Sequence, residues 1–282
     1  KFLGAMFGSA LGDAIGEIAF RVPEENALRE HAARTDLLVY TDDTAMALGL
    51  ADCLLRTGGL EEADLGETFR ANHAREPWRG YAAGPPAIFA RVEAEGISYS
   101  RAARELFGNS GSFGNGAAMR VAPVGLFYHD DPDLYGRVRA SAEVTHAHPV
   151  GVDGAAVLAR AVAGVVNLAP SEPFPRDAFL QDLIDFCRTR EIRDKMVQAA
   201  DLLQREAPAH RAADLLVHGG RRLGPPHPPR LRRRETGRVP RRVAQPLRRR
   251  AVQPVSLPAF RPARPPARGP DGSRRRRARP GK

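Results

Sequence analysis

The pattern of apolar and polar positions predicts an almost wholly helical protein. Segments rich in Ala, Leu, Glu and Arg recur between short connections through residue 217, and no two-residue alternation there indicates a strand. Ten helices are expected, over residues 2–19, 43–56, 60–74, 85–95, 99–107, 116–128, 133–146, 150–168, 176–188 and 191–205. The predicted fold is therefore all-α, a compact orthogonal domain of many short-linked helices.

Two helix starts and the first helix carry further signals. Ser98 precedes one predicted helix as a cap, and Asp131-Pro132 precedes another, which puts proline at the first helical position. In the first helix a glycine recurs every fourth residue, which predicts a smooth ridge that another helix or backbone approaches closely. These glycines are Gly4, Gly8, Gly12 and Gly16.

Charge divides the chain into two parts. Residues 219–282 hold 20 Arg and one Lys against one Glu and one Asp, and 13 of the 24 prolines. Residues 1–218 hold the other 22 basic and 31 acidic residues. We therefore expect a helical domain over residues 1–217 and a basic, Arg/Pro-rich low-complexity tail over 218–282.

Three interpretations of the tail compete. It could be a disordered basic segment, because its prolines interrupt any helix and it lacks an apolar period. It could be a nucleic-acid-binding arm, although Phe260 is its only aromatic residue for base stacking. The favoured interpretation is an out-of-frame translation, since 40 Arg against 3 Lys indicates GC-rich coding DNA. A shifted frame of such DNA spells mostly Arg, Pro, Ala and Gly.

Cysteine content and the first apolar run bear on the compartment. Cys53 and Cys187 lie far apart, which argues against a disulfide scaffold or a zinc finger. Asp13 and Glu17 interrupt the apolar run near the N-terminus and argue against a membrane span. We expect a cytoplasmic protein with no membrane partner.

Four consecutive oxygen-bearing residues, Thr41 to Thr44, stand immediately before an apolar helix. They could simply cap that helix, since Thr and Asp satisfy free N–H groups of a first turn. Yet a cap needs one side chain, and adjacent carboxylates repel unless a cation lies between them. Hydroxyl and carboxylate oxygens suit Mg²⁺.

A glycine-rich loop follows in residues 109–123, with glycines at 111, 114 and 116 around Ser112 and Asn115. Such a loop can turn its N–H groups towards an anion such as a diphosphate, although a flexible connection is the alternative. No Lys-Ser/Thr pair follows, so this is not a Walker motif. His146 and His148 then lie near a predicted helix end, where a histidine could also cap carbonyls.

Together, GSALGDAIGE (8–17), YTDDTAMALGLADCLL (40–55), GSFGNGAAMR (111–120) and VTHAHPVG (144–151) resemble the ADP-ribosylglycohydrolase family. The resemblance covers residues 1 to about 216. The aromatic residue in GSFGNG is most similar to the branch that acts on ADP-ribosylated serine, poly(ADP-ribose) and O-acetyl-ADP-ribose.

The resemblance implies an all-α hydrolase with two Mg²⁺ ions in a central cleft. Its substrate would be an ADP-ribosylated protein or an ADP-ribose conjugate, cleaved at the anomeric carbon of the distal ribose. By motif match, Thr41, Asp42 and Asp43 would ligate the first metal, with Asp42 also at the substrate and Asp43 catalytic. The implied substrate-binding residues of the loop and beyond are Gly111, Ser112, Phe113, Gly114, Asn115, Gly116 and His146.

Two departures from the family pattern affect the expected site. Related sequences place an acid about two turns after the Asp of GDAxG, where this chain has Phe20. We nominate Glu17, four residues after Asp13 and on the same helix face, as the metal-linked acid. No Asp-x-Asp-Thr segment follows residue 200. Without these second-metal ligands, an inactive ADP-ribose-binding relative, or a truncated or frameshifted product, is the alternative.

Overall fold

Residues 1–208 are described by a computed structural model, and every regular element among them is helical. The prediction of an all-α fold is thus confirmed. The helices are α1 (Phe2–Ala19), α2 (Glu25–Arg34), α3 (Asp42–Thr57), α4 (Glu62–Arg75), α5 (Gly84–Glu95), α6 (Tyr99–Arg104), α7 (Leu106–Asn109), α8 (Ala122–Phe127), α9 (Leu134–Glu143), α10 (Pro149–Val166), α11 (Arg176–Phe186) and α12 (Arg190–Gln204), with one 3₁₀ turn, Asn115–Ala117.

Helix α10 organises the core of the domain. It packs against α8, α9, α11 and α12 and buries alanine and valine side chains along its length. The approach of α8 is close, because a Cβ added to Gly125 would lie 2.6 Å from the carbonyl oxygen of Ala159. A glycine is therefore required where these two helices cross.

Helices α3 and α4 form the other side of the core. Met46, Leu50 and Leu54 of α3 pack in one cluster with Leu65 and Phe69 of α4, and all five are essentially inaccessible to solvent. This packing fixes the first turn of α3, which carries the predicted metal ligands.

Helix α2 was absent from the sequence prediction. None of its ten residues is buried, so it has no apolar stripe that periodicity could detect. It begins where the Glu24 carboxylate accepts hydrogen bonds from the backbone N–H groups of Asn26 and Ala27. An acidic cap rather than burial marks this helix.

The predicted helices 99–107 and 116–128 were too long. Helix α6 begins at the predicted Ser98 cap, which accepts a hydrogen bond from Arg101 N, but it ends at Arg104. Beyond it Phe107 has a positive φ of 53°. The second segment is a 3₁₀ turn followed by α8, because Pro123 lacks an N–H and lies in a first turn rather than a helix interior.

The cap predicted at Asp131 was displaced by two residues. Helix α9 begins at Leu134, and Asp133 caps it by accepting a hydrogen bond from Gly136 N. Asp131 instead accepts from the N–H of Asp133 and pairs with Arg137. Proline at the first helical position was therefore the wrong interpretation of this segment.

The predicted close approach to the glycine ridge of α1 is not made by residues 1–208, so it stays a prediction. A Cβ added at any of the four glycines would meet no atom of these described residues within 4 Å. Beside this ridge Leu3, Phe7 and Leu11 are 75%, 72% and 50% exposed. We call Leu3, Phe7, Leu11 and the four glycines the apolar face of α1.

By length and composition alone, two described helices could cross a membrane. They are α1 and α10, each 18 residues long, with mean hydropathies of 1.2 and 1.5. Such helices are weak evidence of a span, since α10 packs one face into the core and α1 docks onto α3 through Asp13. The predicted tail at 218–282 and the domain division at residue 217 lie outside the described residues.

Candidate functional site

The first site feature is a carboxylate cluster, formed by Asp13 of α1 and residues 41–44 at the start of α3. Asp13 Oδ1 accepts a 2.6 Å hydrogen bond from Thr41 Oγ1. Asp13 Oδ2 accepts from Thr41 N at 2.8 Å, and from Thr44 N and Oγ1 at 3.1 and 2.6 Å. One aspartate of α1 therefore fixes the whole turn that leads into α3.

This arrangement bears on the capping alternative for the TDDT segment. Thr41 is the N-cap residue of α3, but its side chain makes no capping hydrogen bond. The cap is supplied from another helix, because Asp13 accepts the N–H of Thr44 in the first turn. The carboxylates of Asp42 and Asp43 are therefore not needed to cap α3, and Asp43 Oδ2 lies 3.3 Å from Thr41 Oγ1.

The electrostatics of Asp42 and Asp43 fit a divalent cation. Burial, together with the charges of Asp43 and Asp13, raises the pKa of Asp42 to about 6. Burial, followed by the charge of Asp13, also raises the pKa of Asp43. The half-buried carboxylates and the Thr41 hydroxyl form a hard-oxygen donor set that suits Mg²⁺. Within residues 1–208 no three Asp, Glu, His or Cys side chains form a complete metal cage.

The segment between α4 and α5 also contacts Asp42. The Asp42 N–H donates to the carbonyl of Arg79 at 2.7 Å. Gly80 adopts a φ of 91°, and a Cβ there would lie 3.7 Å from Asp42 Oδ1. The buried Tyr81 hydroxyl has no hydrogen-bond partner within residues 1–208, and burial, followed by the charge of Asp42, raises the Tyr81 pKa to about 12. These residues carried no sequence motif.

Glu17, the nominated acid, does not join the hydrogen bonds of the carboxylate cluster. Its carboxylate pairs with Arg21 at 2.9 Å on the same helix. It lines a cavity of about 280 Å³ between α1, α2 and the segment that follows α2. Asp13, one turn earlier, is the α1 carboxylate that reaches α3. The catalytic role of Glu17 stays a prediction.

The second feature is the glycine loop, residues 111–116, which packs against the start of α10. Gly111 has a φ of 72°, and a Cβ there would lie 2.8 Å from the backbone N of His148. Gly114 N donates to Ser112 Oγ at 3.2 Å. A Cβ at Gly151, in the first turn of α10, would lie 3.3 Å from the Ser112 carbonyl oxygen. The loop therefore lies beside the positive end of an 18-residue helix.

His146 lies directly under the glycine loop. It is 6% exposed, and its Nδ1 lies 2.8 Å from Thr145 Oγ1. Burial and the nearby Arg120 charge lower the His146 pKa to about 3, so the imidazole is neutral at physiological pH. A Cβ at Gly116 would lie 2.4 Å from His146 Cε1, so only glycine leaves room for this ring.

The other loop side chains lie at the surface. Phe113 is 65% exposed and makes an edge-to-face contact with His148, with ring centroids 5.1 Å apart. Asn115 is exposed at the start of the 3₁₀ turn. His148 is the N-cap of α10, where its Nδ1 accepts from Val150 N at 3.2 Å. His148 therefore caps an N–H group at a helix start, and not the last carbonyls of a helix as the alternative proposed.

Phe69 of α4 packs against both α3 and the turn that follows the glycine loop. Its ring would lie 3.4 Å from a Cβ at Gly49 of α3, and the guanidinium of Arg120, in the turn that follows the loop, lies 4.8 Å from its centroid. No hydrogen bond or ring contact that the structure describes joins the carboxylate cluster directly to the loop. The carboxylate cluster and the glycine loop therefore pack on the same hydrophobic core without touching each other through these contacts.

Comparison with known proteins shows which sequences this chain is similar to. Residues 1–228 match the ADP-ribosylglycohydrolase family. The chain is similar to "ADP-ribosylhydrolase ARH3" of Bos taurus, with 35% identity over 199 residues, 65% of this chain and 53% of that protein. For the Gallus gallus protein of that name the identity is 32%, covering 72% and 59%, and for the Homo sapiens one 33%, covering 65% and 54%.

The chain spans somewhat more than half the length of these curated relatives. The match includes the TDDT segment, the glycine loop and both histidines, so the expected family resemblance is confirmed. An all-α fold of this order, with these motifs in sequence, identifies the chain as a member of the ADP-ribosylglycohydrolase family, whose members are ADP-ribosyl hydrolases.

Proposed function

We propose that this chain is a Mg²⁺-dependent hydrolase that removes ADP-ribose from modified proteins or related conjugates. The observation that carries the proposal is the pair of features just described. Repelling carboxylates at the start of α3 favour a cation, and a glycine loop on the N-terminus of α10 favours an anion. ADP-ribose chelated to a divalent metal satisfies both requirements. The names of the curated relatives support the same reaction class.

Binding would depend mainly on residues 111–116. The loop contains no acidic side chain, so its N–H groups and the end of α10 can hold a diphosphate. Neutral His146 lies beneath the loop and orients it through contact with Gly116. The exposed ring of Phe113 is available to stack on a sugar or the base, and Asn115 offers an amide to the adjoining ribose.

For the reaction, Thr41, Asp42 and Asp43 would hold Mg²⁺, which supplies Lewis-acid stabilisation of ribose hydroxyls and of a water. The Asp43 carboxylate takes the proton of the attacking water. The water oxygen bonds to the anomeric carbon of the distal ribose as the bond from that carbon to the leaving oxygen breaks. Positive charge builds on the ring, and the leaving oxygen receives a proton, with Glu17 the predicted donor.

A second candidate is an ADP-ribose-binding relative without turnover. It is favoured by the lack of an Asp-x-Asp-Thr segment after residue 200 of this sequence. Such a protein would keep the glycine loop and His146 but lack a second metal site.

One assay separates these candidates. The full chain is incubated with serine- and arginine-ADP-ribosylated peptides, with Mg²⁺ or with EDTA, and released ADP-ribose is measured. Release that requires Mg²⁺ and is lost in Asp43→Asn supports the hydrolase, and the preferred peptide reports the linkage. ADP-ribose binding without release supports the second candidate. Release unaffected by EDTA contradicts the metal-dependent mechanism.

A further inference from the structure

Arg120, in the turn after the glycine loop, is fully buried and has no acidic partner. Its Nη1 donates to the carbonyl of Gly116 at 2.8 Å, and its Nη2 donates to the carbonyl of Ser141 at 3.0 Å. Its Nε is buried and has no hydrogen-bond partner among the described residues. No carboxylate among residues 1–208 forms an ion pair with it, so a positive charge lies unmatched in the core.

An unmatched buried charge is costly, which makes a purely structural role a poor explanation. Burying one ion without a partner carries a large desolvation penalty. The Phe69 ring, whose centroid lies 4.8 Å from the guanidinium, offsets only part of this penalty. Burial lowers the Arg120 pKa to about 9, which still leaves the side chain charged at neutral pH. Two carbonyls could instead be joined by a neutral amide without this penalty.

The charge acts on the glycine loop. Arg120 is close enough to His146 to disfavour its protonation, and His146 contacts the loop at Gly116. Acidic side chains of α9 and α10 have other partners: Glu143 pairs with Arg104, and Asp153 accepts from Thr189. Arg120 and the N-terminus of α10 therefore both make the loop electropositive.

Resting on the function proposed above, we infer that Arg120 is a positioning residue whose buried charge is the counter-charge of a diphosphate on residues 112–116. It does not touch the ligand. It fixes the Gly116 carbonyl, and thereby the end of the loop, while its charge is matched only when an anion occupies the loop. The site should therefore discriminate ligands by their diphosphate.

A matched pair of variants in the full chain tests this inference. Arg120→Lys and Arg120→Gln are both shorter than arginine and keep a donor for one carbonyl, but only lysine can carry a charge, and a pH below 7 favours its charged form. ADP-ribose and uncharged adenosine are titrated at pH 6.5, the former by calorimetry and the latter by NMR. We expect Arg120→Gln to bind ADP-ribose about tenfold more weakly than Arg120→Lys, with adenosine affinities within about twofold.

Equal ADP-ribose affinities of the two variants, or an equal loss for both ligands, would overturn the inference and leave Arg120 a structural bridge. Thermal melting of both variants accompanies the titrations, and if the glutamine variant does not fold, Arg120→Lys is compared with wild type. The inference is supported if Arg120→Lys keeps the wild-type ratio of ADP-ribose affinity to adenosine affinity. Loss of that ratio in Arg120→Lys contradicts it. Failure of wild type to bind ADP-ribose would instead refute the proposed function.

Discussion

At the scale of single residues, Asp42 determines how the site responds to pH and metal. The folded-state pKa of Asp42 is raised from 3.8 to about 6, so protonation of this carboxyl stabilises the folded domain. This stabilisation is fully present below about pH 3.8. This stability is lost as the pH rises through about 6, where the carboxylate becomes charged beside Asp43. Only the charged form binds a cation well.

We therefore expect Mg²⁺ to raise the melting temperature more at pH 7.5 than at pH 5. Asp42→Asn should melt higher than wild type in EDTA at pH 7.5 and should no longer respond to Mg²⁺. Thermal melts with Mg²⁺ or EDTA check this, with Asp177→Asn, at an exposed position of α11, as the control that keeps the response. A Mg²⁺ effect of equal size in the asparagine variant would count against this metal site.

His146 gives the domain a second pH dependence. Its folded-state pKa of about 3 lies below the usual value of 6.5, so protons bind the unfolded chain preferentially. Neutral His146 contributes to the free energy of unfolding above pH 6.5. This contribution is lost as the pH falls towards 3, by up to about 1.4 kcal/mol per pH unit. Urea unfolding between pH 4 and 7 should give a shallower slope for His146→Gln. The exposed-helix variant His31→Gln should keep the wild-type slope.

The sequence predicts the residue types of the site better than their partners. TDDT, the glycine loop and the histidines are local motifs and could be found directly. The choice between Asp13 and Glu17 could not be made, since residues four apart share a helix face and only docking on α3 separates them. Arg120 carried no signal, because its burial depends on Phe69 and Ser141, which are distant in sequence.

At the scale of elements, one aspartate joins α1 to α3. Asp13→Ala removes four hydrogen bonds, including the cap of α3, and should destabilise the domain by about 1–3 kcal/mol. The matched variant Glu17→Ala removes only a surface pair with Arg21 and should change stability by less than about 1 kcal/mol. Chemical denaturation compares the two. Equal losses would contradict the assigned contact.

The packing of the glycine loop on His146 makes its own prediction. Gly116→Ala would push a methyl group into the imidazole ring, whereas a Cβ at Gly114 makes only ordinary contacts of 3.4 Å or more. We expect Gly116→Ala to lower stability by about 1–3 kcal/mol and to shift the His146 NMR signals. Gly114→Ala, whose added methyl group would lie 3.5 Å from His146 Nε2, should leave stability nearly unchanged and shift these signals less. Similar spectra for both variants would show that the ring does not lie against Gly116.

Periodicity predicted the buried helices well and the exposed or interrupted ones poorly. Helices α3 and α10 begin within a residue of their expected starts, because both carry strong apolar stripes. Helix α2 was missed because it buries nothing, and the segment around Pro123 was merged into one helix because proline is tolerated in a first turn.

At the scale of the whole molecule, the apolar face of α1 is the most conspicuous exposed surface that the structure describes. Uncovered side chains of this size promote association. Phe7→Glu should therefore reduce self-association in light scattering and analytical ultracentrifugation. Val197→Glu, at an exposed apolar position of α12, should have a smaller effect. Equal effects would show that this face has no special role.

The tail is a separate question at this scale. The structure describes no residue beyond 208, so the favoured out-of-frame interpretation stays a prediction. Resequencing the coding DNA from about codon 195, with translation in all three frames, checks it. Another frame with an Asp-x-Asp-Thr helix would support the interpretation, and a confirmed frame without such a segment would contradict it.

The central claim is that the carboxylate cluster and the glycine loop together form a metal-assisted site for ADP-ribose. The most direct test is calorimetric titration of ADP-ribose into the full chain, with Mg²⁺ and with EDTA. The account predicts one-to-one binding that weakens about tenfold or more in EDTA or in Asp42→Asn. Absence of binding in Mg²⁺, or an affinity unchanged by EDTA and by the variant, would contradict it.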